Sequence, residues 1–269
     1  MSETILVWCG ALSYGASTGS FLWAAGNNRG KHRIPYIYLV LGVVLLAIAL
    51  SIRWIRIEQG PFMTLYEVLL SNAFSIGLIY ALIFYFVPLC RYGSVVILPF
   101  LFMMTLWAVR VPADPVPLPA TFDNPLLWLH VITGKLFLGF CTAATGLAGI
   151  LLLNRFRLTP GLNIYVNQLS RIDSMIWRLM SVAFIADSCM LVVGSAWAYD
   201  AWGRYWAWDP LETWALMTWI TLGACLHVRL TFRIPEWSGW VMVIFVFILA
   251  FLTFFGVPFL SLAPHKGIL

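Results

Sequence analysis

The chain has 269 residues and a net charge of +5, with 62% hydrophobic residues and only 10% charged residues. Soluble domains carry about 25% charged residues, so this composition excludes a soluble globular enzyme and predicts an integral membrane protein. The positive charge does not indicate a nucleic-acid partner, because Lys and Arg cluster in short connecting segments, as membrane topology requires.

Apolar segments of about 20 residues predict eight membrane-spanning helices in a single domain that comprises residues 1–269. The segments lie at 5–25, 34–52, 67–89, 93–109, 128–153, 179–199, 213–230 and 237–260. Between the fourth and fifth spans, residues 110–127 contain five prolines and predict an extended loop. The predicted fold is therefore an all-α, polytopic membrane helix bundle with a tryptophan-rich segment outside the membrane.

Basic residues in the joints predict the orientation of the bundle. One set of joints carries Arg29, Lys31, Arg33, Arg91, Arg155, Arg157, Arg171, Arg229 and Arg233, and the opposite set carries Arg53, Arg56, Arg110, Arg204 and Lys266. The positive-inside rule assigns the first set to the cytoplasm, although Arg53 and Arg56 count against it. Both termini and the proline-rich loop then lie outside, and we expect His32, in a cytoplasmic joint, to be solvated.

Residues 162–179 have the periodicity of an amphipathic helix. Apolar side chains recur at steps of three and four residues, at Leu162, Tyr165, Leu169, Ile172, Ile176 and Leu179. We expect this helix to lie on the cytoplasmic membrane surface and to lead into the sixth span.

The most unusual stretch is 202–219, WGRYWAWDPLETWALMTW, which contains five tryptophans and Tyr205. It combines charge with a dense aromatic cluster between two apolar runs, so we expect it at a membrane surface. By the predicted topology it lies outside, together with His130 at the start of span five and His265 after span eight.

Two imidazoles beside an aromatic platform are suited to provide the axial ligands of a haem iron. The alternative is that these His and Trp side chains only belong to the aromatic belt of the membrane interface.

Three further polar residues lie inside predicted spans. His227, near the cytoplasmic end of span seven, is either a second haem or metal ligand or a hydrogen-bonded helix contact, because intramembrane His usually has a partner. Lys135 and Asp187 form an ion pair with each other, or Lys135 contacts a haem propionate. The residue pattern does not distinguish these two alternatives.

At the tryptophan-rich stretch the chain resembles a known family. WGRYWAWDPLETWALMTW is similar to the WWD signature of haem-handling proteins in cytochrome c maturation. Within that superfamily the chain resembles the CcsA (ResC) component of the System II cytochrome c synthase. GPFMTLYE at 60–67 is similar to the family's GPF-x-x-LYE stretch. LHV at 129–131, LHVR at 226–229 and His265 resemble its first external, transmembrane and second external histidines.

This resemblance implies that the protein takes part in cytochrome c biogenesis and binds haem b as its substrate. The residues it assigns to haem are His130, His265 and His227 as iron ligands, with Trp202, Trp206, Trp208 and Asp209 beside the macrocycle. Arg204 and Asp209 are expected to shape the loop or hold propionates. Haem crosses the membrane through a site that includes His227 and is then held at the outer face.

The resemblance also implies partners and a location. A CcsB (ResB)-like membrane protein supplies the second transmembrane histidine, and with it the chain acts as a haem lyase subunit. Thiols of an apocytochrome c CxxCH motif then form thioethers with the haem. The expected location is the bacterial cytoplasmic membrane, or the thylakoid membrane in a plastid, with the WWD segment on the external (periplasmic) face.

The chain departs from the family pattern at Leu211, where Lys is frequent, and in the ending PHKGIL. Two alternatives remain open. One is a CcmC-like haem export or chaperone subunit without lyase activity, for which six spans would be expected. The other is a multi-haem electron-transfer subunit, which would require His pairs at matching depths.

Overall fold

The computed structural model describes residues 3–26, 32–158 and 166–257. Within these ranges the chain forms α1 (Glu3–Gly26), α2 (Arg33–Ile57), α3 (Leu65–Phe86), α4 (Ser94–Arg110), α5 (Pro125–Arg155), α6 (Val166–Trp202), α7 (Pro210–Thr231) and α8 (Glu236–Phe251). A π-helical turn, Leu252–Gly256, extends α8, and 3-10 turns occupy Pro88–Gly93 and Ala120–Phe122. The predicted all-α, polytopic helix bundle is confirmed.

Seven helical segments of the described chain are long and apolar enough to cross a membrane, and α7 is not among them. We predicted eight spans, and α7 corresponds to the seventh. Its 22 residues include four threonines together with Glu212, His227 and Arg229, which lower its mean hydropathy. Because α7 carries polar groups at both ends, its membrane position depends on packing rather than on composition alone.

The helix α5 lies at the centre of the bundle, where it packs against α3, α4, α6 and α8. Its second half contains the segment CTAATGLAG at 141–149, which consists mainly of small residues, and nearly all of them are buried. Small side chains let helix backbones approach closely, which is the usual basis of helix association in membranes. The first turns of α5, which include His130, therefore extend from a closely packed stem.

The helix α6 differs from the prediction. The amphipathic segment and the sixth span form one continuous helix of 37 residues. Ile172, Ile176 and Leu179, the apolar stripe of the segment, are buried in the main core and do not lie on a membrane surface. Asp173 on the same helix is buried as well, and it is ion-paired to Arg229 of α7. Leu162 and Tyr165 lie outside the described residues.

A buried ionic network joins the first three helices at one end of the bundle. The guanidinium of Arg53 is fully buried and donates to Glu67 Oε1 at 2.7 and 3.0 Å, with Glu3 Oε1 at 3.5 Å. It also donates to the carbonyl of Ala113 in the proline-rich loop at 2.9 Å. Arg56 is paired with Glu3. The two arginines that count against the predicted orientation are therefore both paired with carboxylates inside the protein.

His32, expected to be solvated, is half-buried at the start of α2. Its ring stacks on Phe21 at 5.8 Å and meets the edge of Phe84 at 6.3 Å. Burial, and then the charge of Arg91, lower the pKa of His32 from its ordinary value of 6.5. The expectation was wrong because the helix ends converge around this residue and remove it from water.

Candidate functional site

The candidate site is a cavity of about 760 Å³ near one end of the bundle. Its lining residues fall within 62–72, 112–135, 190–215 and 253–257. The GPFM segment, the proline-rich loop, the first turns of α5, the end of α6 and the tryptophan-rich segment therefore meet around one space. The predicted grouping of these segments at one end of the bundle is present in the structure.

His130 lies in the second turn of α5, whose start is fixed by an Asn124 cap that accepts from Leu126 N at 2.8 Å. The Nδ1 atom of His130 is 2.9 Å from the backbone carbonyl of Met190 on α6. A carbonyl only accepts, so Nδ1 carries the proton and the lone pair of the neutral ring lies on Nε2. Metal-binding histidines are commonly oriented by this kind of contact.

A glycine allows the His130 ring to approach α6. A Cβ atom at Gly194 would lie 2.6 Å from His130 Nδ1. No ordinary side chain tolerates that separation, so the position of the imidazole depends on the absence of a side chain at 194.

The three tryptophans that sequence analysis singled out occupy different environments. Trp206 lines the cavity and meets the edge of Trp208 at 5.8 Å. Trp208 itself is 69% exposed, has a φ of 60° and is not part of the lining. Trp202 packs edge-on against Trp197 at 4.9 Å. The structure thus places one of the three indoles at the cavity and the other two behind or beside it.

Trp197 is a lining residue that sequence analysis missed. Its ring stacks on that of His130 with a centroid distance of 6.4 Å and an interplanar angle of 21°. Its Nε1 donates to the Thr121 carbonyl at 3.1 Å, and Phe122 packs against its ring. The available signal was its position five residues before Trp202, at the end of an apolar run, but that pattern does not distinguish a site residue from a core residue.

Asp209 both lines the cavity and caps α7. Its carboxylate accepts from Glu212 N at 2.8 Å, and Pro210 occupies the first helical position. Glu212 in turn accepts from Ala207 N at 2.7 Å, which closes the loop onto the helix. The two carboxylates are held by backbone N–H groups near a helix N-terminus, where negative charge is favourable. They give the tryptophan-rich loop a fixed shape.

Lys135 and Asp187 do not form an ion pair in the described part of the chain. Lys135 lines the cavity, and its Nζ donates to Ser71 Oγ on α3 at 2.9 Å. Asp187 is fully buried on α6 outside the cavity lining, and neither carboxylate oxygen has a partner among the described residues. Of the two sequence-based alternatives, direct pairing is therefore not what the structure shows.

His227 is remote from the cavity. Ala215 on α7 lines the cavity, and His227 follows 12 residues later, a rise of about 18 Å along the helix. The His227 side chain is exposed and meets the edge of Phe232 at 6.5 Å. Two residues further, Arg229 pairs with Asp173, which also accepts from Trp240 Nε1 at 2.9 Å. These contacts of Asp173 hold the end of α7 against α6 and α8, and the His227 side chain faces away from the bundle.

His265, predicted as an iron ligand, lies outside the described residues. The last described residue, Val257, lines the cavity. In the sequence, His265 is eight residues after Val257.

The cavity has the size and lining of a small-molecule site. Its volume is within the range of about 300–1,000 Å³ that is usual for small-molecule sites, and its walls are mostly apolar. Within the described residues, no three His, Cys, Asp or Glu side chains are grouped to hold a bare metal ion. A single oriented imidazole against indole rings instead matches the axial ligation of a haem.

Comparison with known proteins identifies the family. A family model described as Cytochrome C assembly protein matches residues 44–265, which include His130 and the tryptophan-rich stretch. The chain belongs to the cytochrome c assembly protein family. It is 29% identical to cytochrome c biogenesis protein CcsA of Guillardia theta over 263 residues, with 87% of this chain and 85% of the relative covered.

Two further similarities agree with this assignment. CcsA of Chlamydomonas reinhardtii is 30% identical over 214 residues, which cover 77% of this family member and 59% of the relative. The solved structure of the cytochrome c haem lyase CcmF matches with a TM-score of 0.67 and 18% identity. It covers 99% of this chain, which spans about half of the CcmF chain. At this identity the match shows that the helical fold is shared.

Proposed function

We propose that this chain acts in cytochrome c biogenesis by binding haem in the cavity and presenting it for attachment to apocytochrome c. The observation that carries the proposal is the oriented imidazole of His130, stacked on Trp197, in an apolar cavity walled by the tryptophan-rich segment. Membership of the cytochrome c assembly family and similarity to CcsA proteins support it.

In this proposal, His130 Nε2 ligates the iron, Trp197 and Trp206 contact the macrocycle, and His265 provides the second axial ligand. Trp202, Trp208 and Asp209 complete the site by holding the loop. The haem supplies the chemistry, and the protein binds and orients it.

Attachment requires no added oxidant or reductant. Each cysteine S–H of a CxxCH motif adds across a haem vinyl C=C bond, so that sulfur bonds to one carbon and hydrogen to the other. The motif histidine then replaces one of the protein's axial ligands.

We also propose that the exposed His227 forms half of a transmembrane haem site, with the other ligand from a CcsB-like membrane partner. The side chain lies on an exposed stripe of α7 with Met217 and Ile220, where another membrane protein can pack. Haem would reach the partner-completed site first and the cavity afterwards. On this basis the chain is a haem lyase subunit that acts with its partner, in the bacterial cytoplasmic or the thylakoid membrane.

The multi-haem electron-transfer alternative receives no support from the geometry. His130 lies at the cavity end of the bundle and His227 near its opposite end, so these two histidines are not at matching depths. The CcmC-like export alternative uses the same haem site but forms no thioethers. Only the product therefore distinguishes it from a haem lyase subunit.

The proposal is tested by co-expression with a CcsB-type partner and a c-type reporter that carries one CxxCH motif. We expect haem covalently bound to the reporter, measured by haem staining after denaturing electrophoresis. His130→Ala should lose most of this product, whereas Leu129→Ala, an exposed neighbour outside the cavity, should retain it. Haem bound to the chain without any reporter product would favour the export alternative. No bound haem in either form would reject the proposed function.

A further inference from the structure

The cavity contains a polar corner that the axial ligands do not explain. Lys135 lies five residues beyond His130 on α5, about 7.5 Å further along the helix axis. Its Nζ donates to Ser71 Oγ on α3, and Asn72 lines the cavity beside Ser71. The surrounding lining is apolar, with Val68, Val131, Gly134, Met190 and Phe254. The corner is thus an isolated cationic group at the inner part of an apolar cavity.

The charge of Lys135 has no carboxylate partner among the ion pairs of the described residues. An ammonium group removed from water is costly unless an opposite charge and hydrogen bonds compensate it. The carboxylates of Asp209 and Glu212, which also line the cavity, accept from backbone N–H groups of their own loop.

Asn72 is a second residue of this corner with an unsatisfied hydrogen-bonding group. Its side chain is buried and donates to the Val68 carbonyl, yet Asn72 Oδ1 has no partner within the described part of the chain. Buried amides normally satisfy both ends. Asn72 Oδ1 is an acceptor and does not bind a carboxylate, and the Ser71 hydroxyl donates to the Val68 carbonyl at 3.3 Å. The donor that this corner offers to an anionic ligand is therefore the Lys135 ammonium, which Ser71 Oγ holds in place.

We propose that Lys135, positioned by Ser71, binds a carboxylate of the porphyrin and thereby sets the direction in which haem enters the cavity. This inference rests on the proposed function. A porphyrin whose iron is ligated by His130 extends over the neighbouring turns of α5, so one propionate arm reaches the ammonium. A charge-assisted hydrogen bond of this kind is among the stronger polar contacts in proteins.

The orientation has a consequence for the chemistry. In haem the two vinyl groups lie on the edge opposite the two propionates. With the carboxylates at the inner corner, the vinyl edge faces the cavity mouth formed by the proline-rich loop and residues 205–212. The cysteine thiols of an incoming CxxCH motif then meet the carbons to which they add. Lys135 is in this sense a positioning residue for attachment.

Arg204 offers the competing orientation. It is exposed on the tryptophan-rich segment and does not line the cavity. If the carboxylates faced outward, Arg204 would be the cation to receive them. The variants Lys135→Met and Arg204→Met therefore form a matched pair that separates inward from outward orientation.

The test is an equilibrium titration of the purified full chain in detergent with haem and with haem dimethyl ester, whose carboxyl groups are neutral. Wild type should bind the ester about 10- to 100-fold more weakly than haem, the range expected for one charged hydrogen bond. Lys135→Met should lose a similar factor for haem and nothing further for the ester. Lys135→Arg should retain most of the affinity, and Arg204→Met should match wild type.

Three results would overturn the inference: equal affinity of wild type for both ligands, an equal loss for both ligands in Lys135→Met, or a carboxylate-dependent loss in Arg204→Met instead. His130→Ala, titrated in parallel, separates the two proposals. A haem absorption spectrum that depends on His130, together with unchanged haem affinity in Lys135→Met, rejects the carboxylate subsite and leaves the proposed function standing. A spectrum unchanged in His130→Ala rejects both.

Discussion

At the residue scale, His130 is defined by contacts that come from a different helix. The Met190 carbonyl fixes its tautomer, Trp197 stacks on its ring, and Gly194 leaves room for it. All three belong to α6, although 60 or more residues separate them from His130 in the chain. The position and tautomer of this imidazole thus depend on the register between α5 and α6.

Gly194→Ala should displace the His130 ring, because its Cβ would lie 2.6 Å from Nδ1. Loss of the contact that orients a metal ligand commonly costs about 10- to 100-fold in affinity, and we expect that range for haem binding by the purified chain. Gly19→Ala, which has open space at its Cβ, should bind haem as wild type does. Unchanged affinity and an unchanged spectrum in Gly194→Ala would contradict the role of this contact.

His32, at the end of the bundle opposite the cavity, predicts that folding stability depends on pH. Because its pKa is lowered in the folded protein, the unfolded chain takes up the proton first as the pH falls through about 6.5. Folding stability should therefore decrease below that pH until the folded protein is protonated as well. His32→Gln lacks this contribution, so its melting temperature should fall less on acidification. Parallel pH profiles for the two proteins would rule the effect out.

At the scale of the elements, the buried ionic network explains the GPFMTLYE stretch. Thr64 and Glu67 form a capping box at the start of α3, and Glu67 also accepts from Met63 N. The same carboxylate pairs with the buried Arg53, and Tyr66 donates to Glu3 at 2.8 Å. This one helix start therefore ties α1, α2 and the proline-rich loop together beside the cavity. Its role is to keep the rim of the site in place.

Glu67→Gln should destabilise the protein strongly, because it leaves the buried Arg53 charge without its main partner. Breaking a buried ion pair typically costs about 3–5 kcal/mol. Arg56→Gln removes an arginine that is 58% exposed and should cost less than about 1 kcal/mol. Denaturant unfolding in detergent measures both values. An equal loss of unfolding free energy in the two variants would show that the buried ion pair stabilises the protein no more than the exposed one.

At the scale of the whole molecule, the bundle gathers its irregular segments on one end. The GPFM segment, the proline-rich loop, the tryptophan-rich segment and the end of α8 all reach the cavity. The opposite end holds His32, Arg91, Arg229 and the exposed His227. The helix α7 connects the two ends over 22 residues, about 33 Å, which matches the thickness of a bilayer core.

This arrangement predicts the accessibility of introduced cysteines. Arg204→Cys, at the cavity end, should react with a membrane-impermeant maleimide in intact cells or spheroplasts. Arg233→Cys, between α7 and α8, should react only after permeabilisation. Labelling is compared with the parent protein, because Cys189 is exposed and contributes background. The reverse pattern would place the tryptophan-rich segment in the cytoplasm.

The sequence by itself determined the class of protein and its helical elements, and it predicted a candidate site at one end of the bundle. Hydropathy and helical periodicity are local properties, so they predicted the starts of α1–α5, α7 and α8 to within three residues, whereas the predicted ends of α2 and α8 were further off. The tryptophan-rich stretch and His130 were also recognisable from residue types and order alone.

Only the tertiary structure decided which side chains share the cavity. Trp197 and Trp206 line it while Trp208 is exposed, and Lys135 contacts Ser71 rather than Asp187. The amphipathic start of α6 also packs into the core because its partners lie on α7 and α8. The physical reason is that side-chain direction on a helix becomes meaningful only once the register and rotation of neighbouring helices are fixed. Packing between residues far apart in the chain sets both.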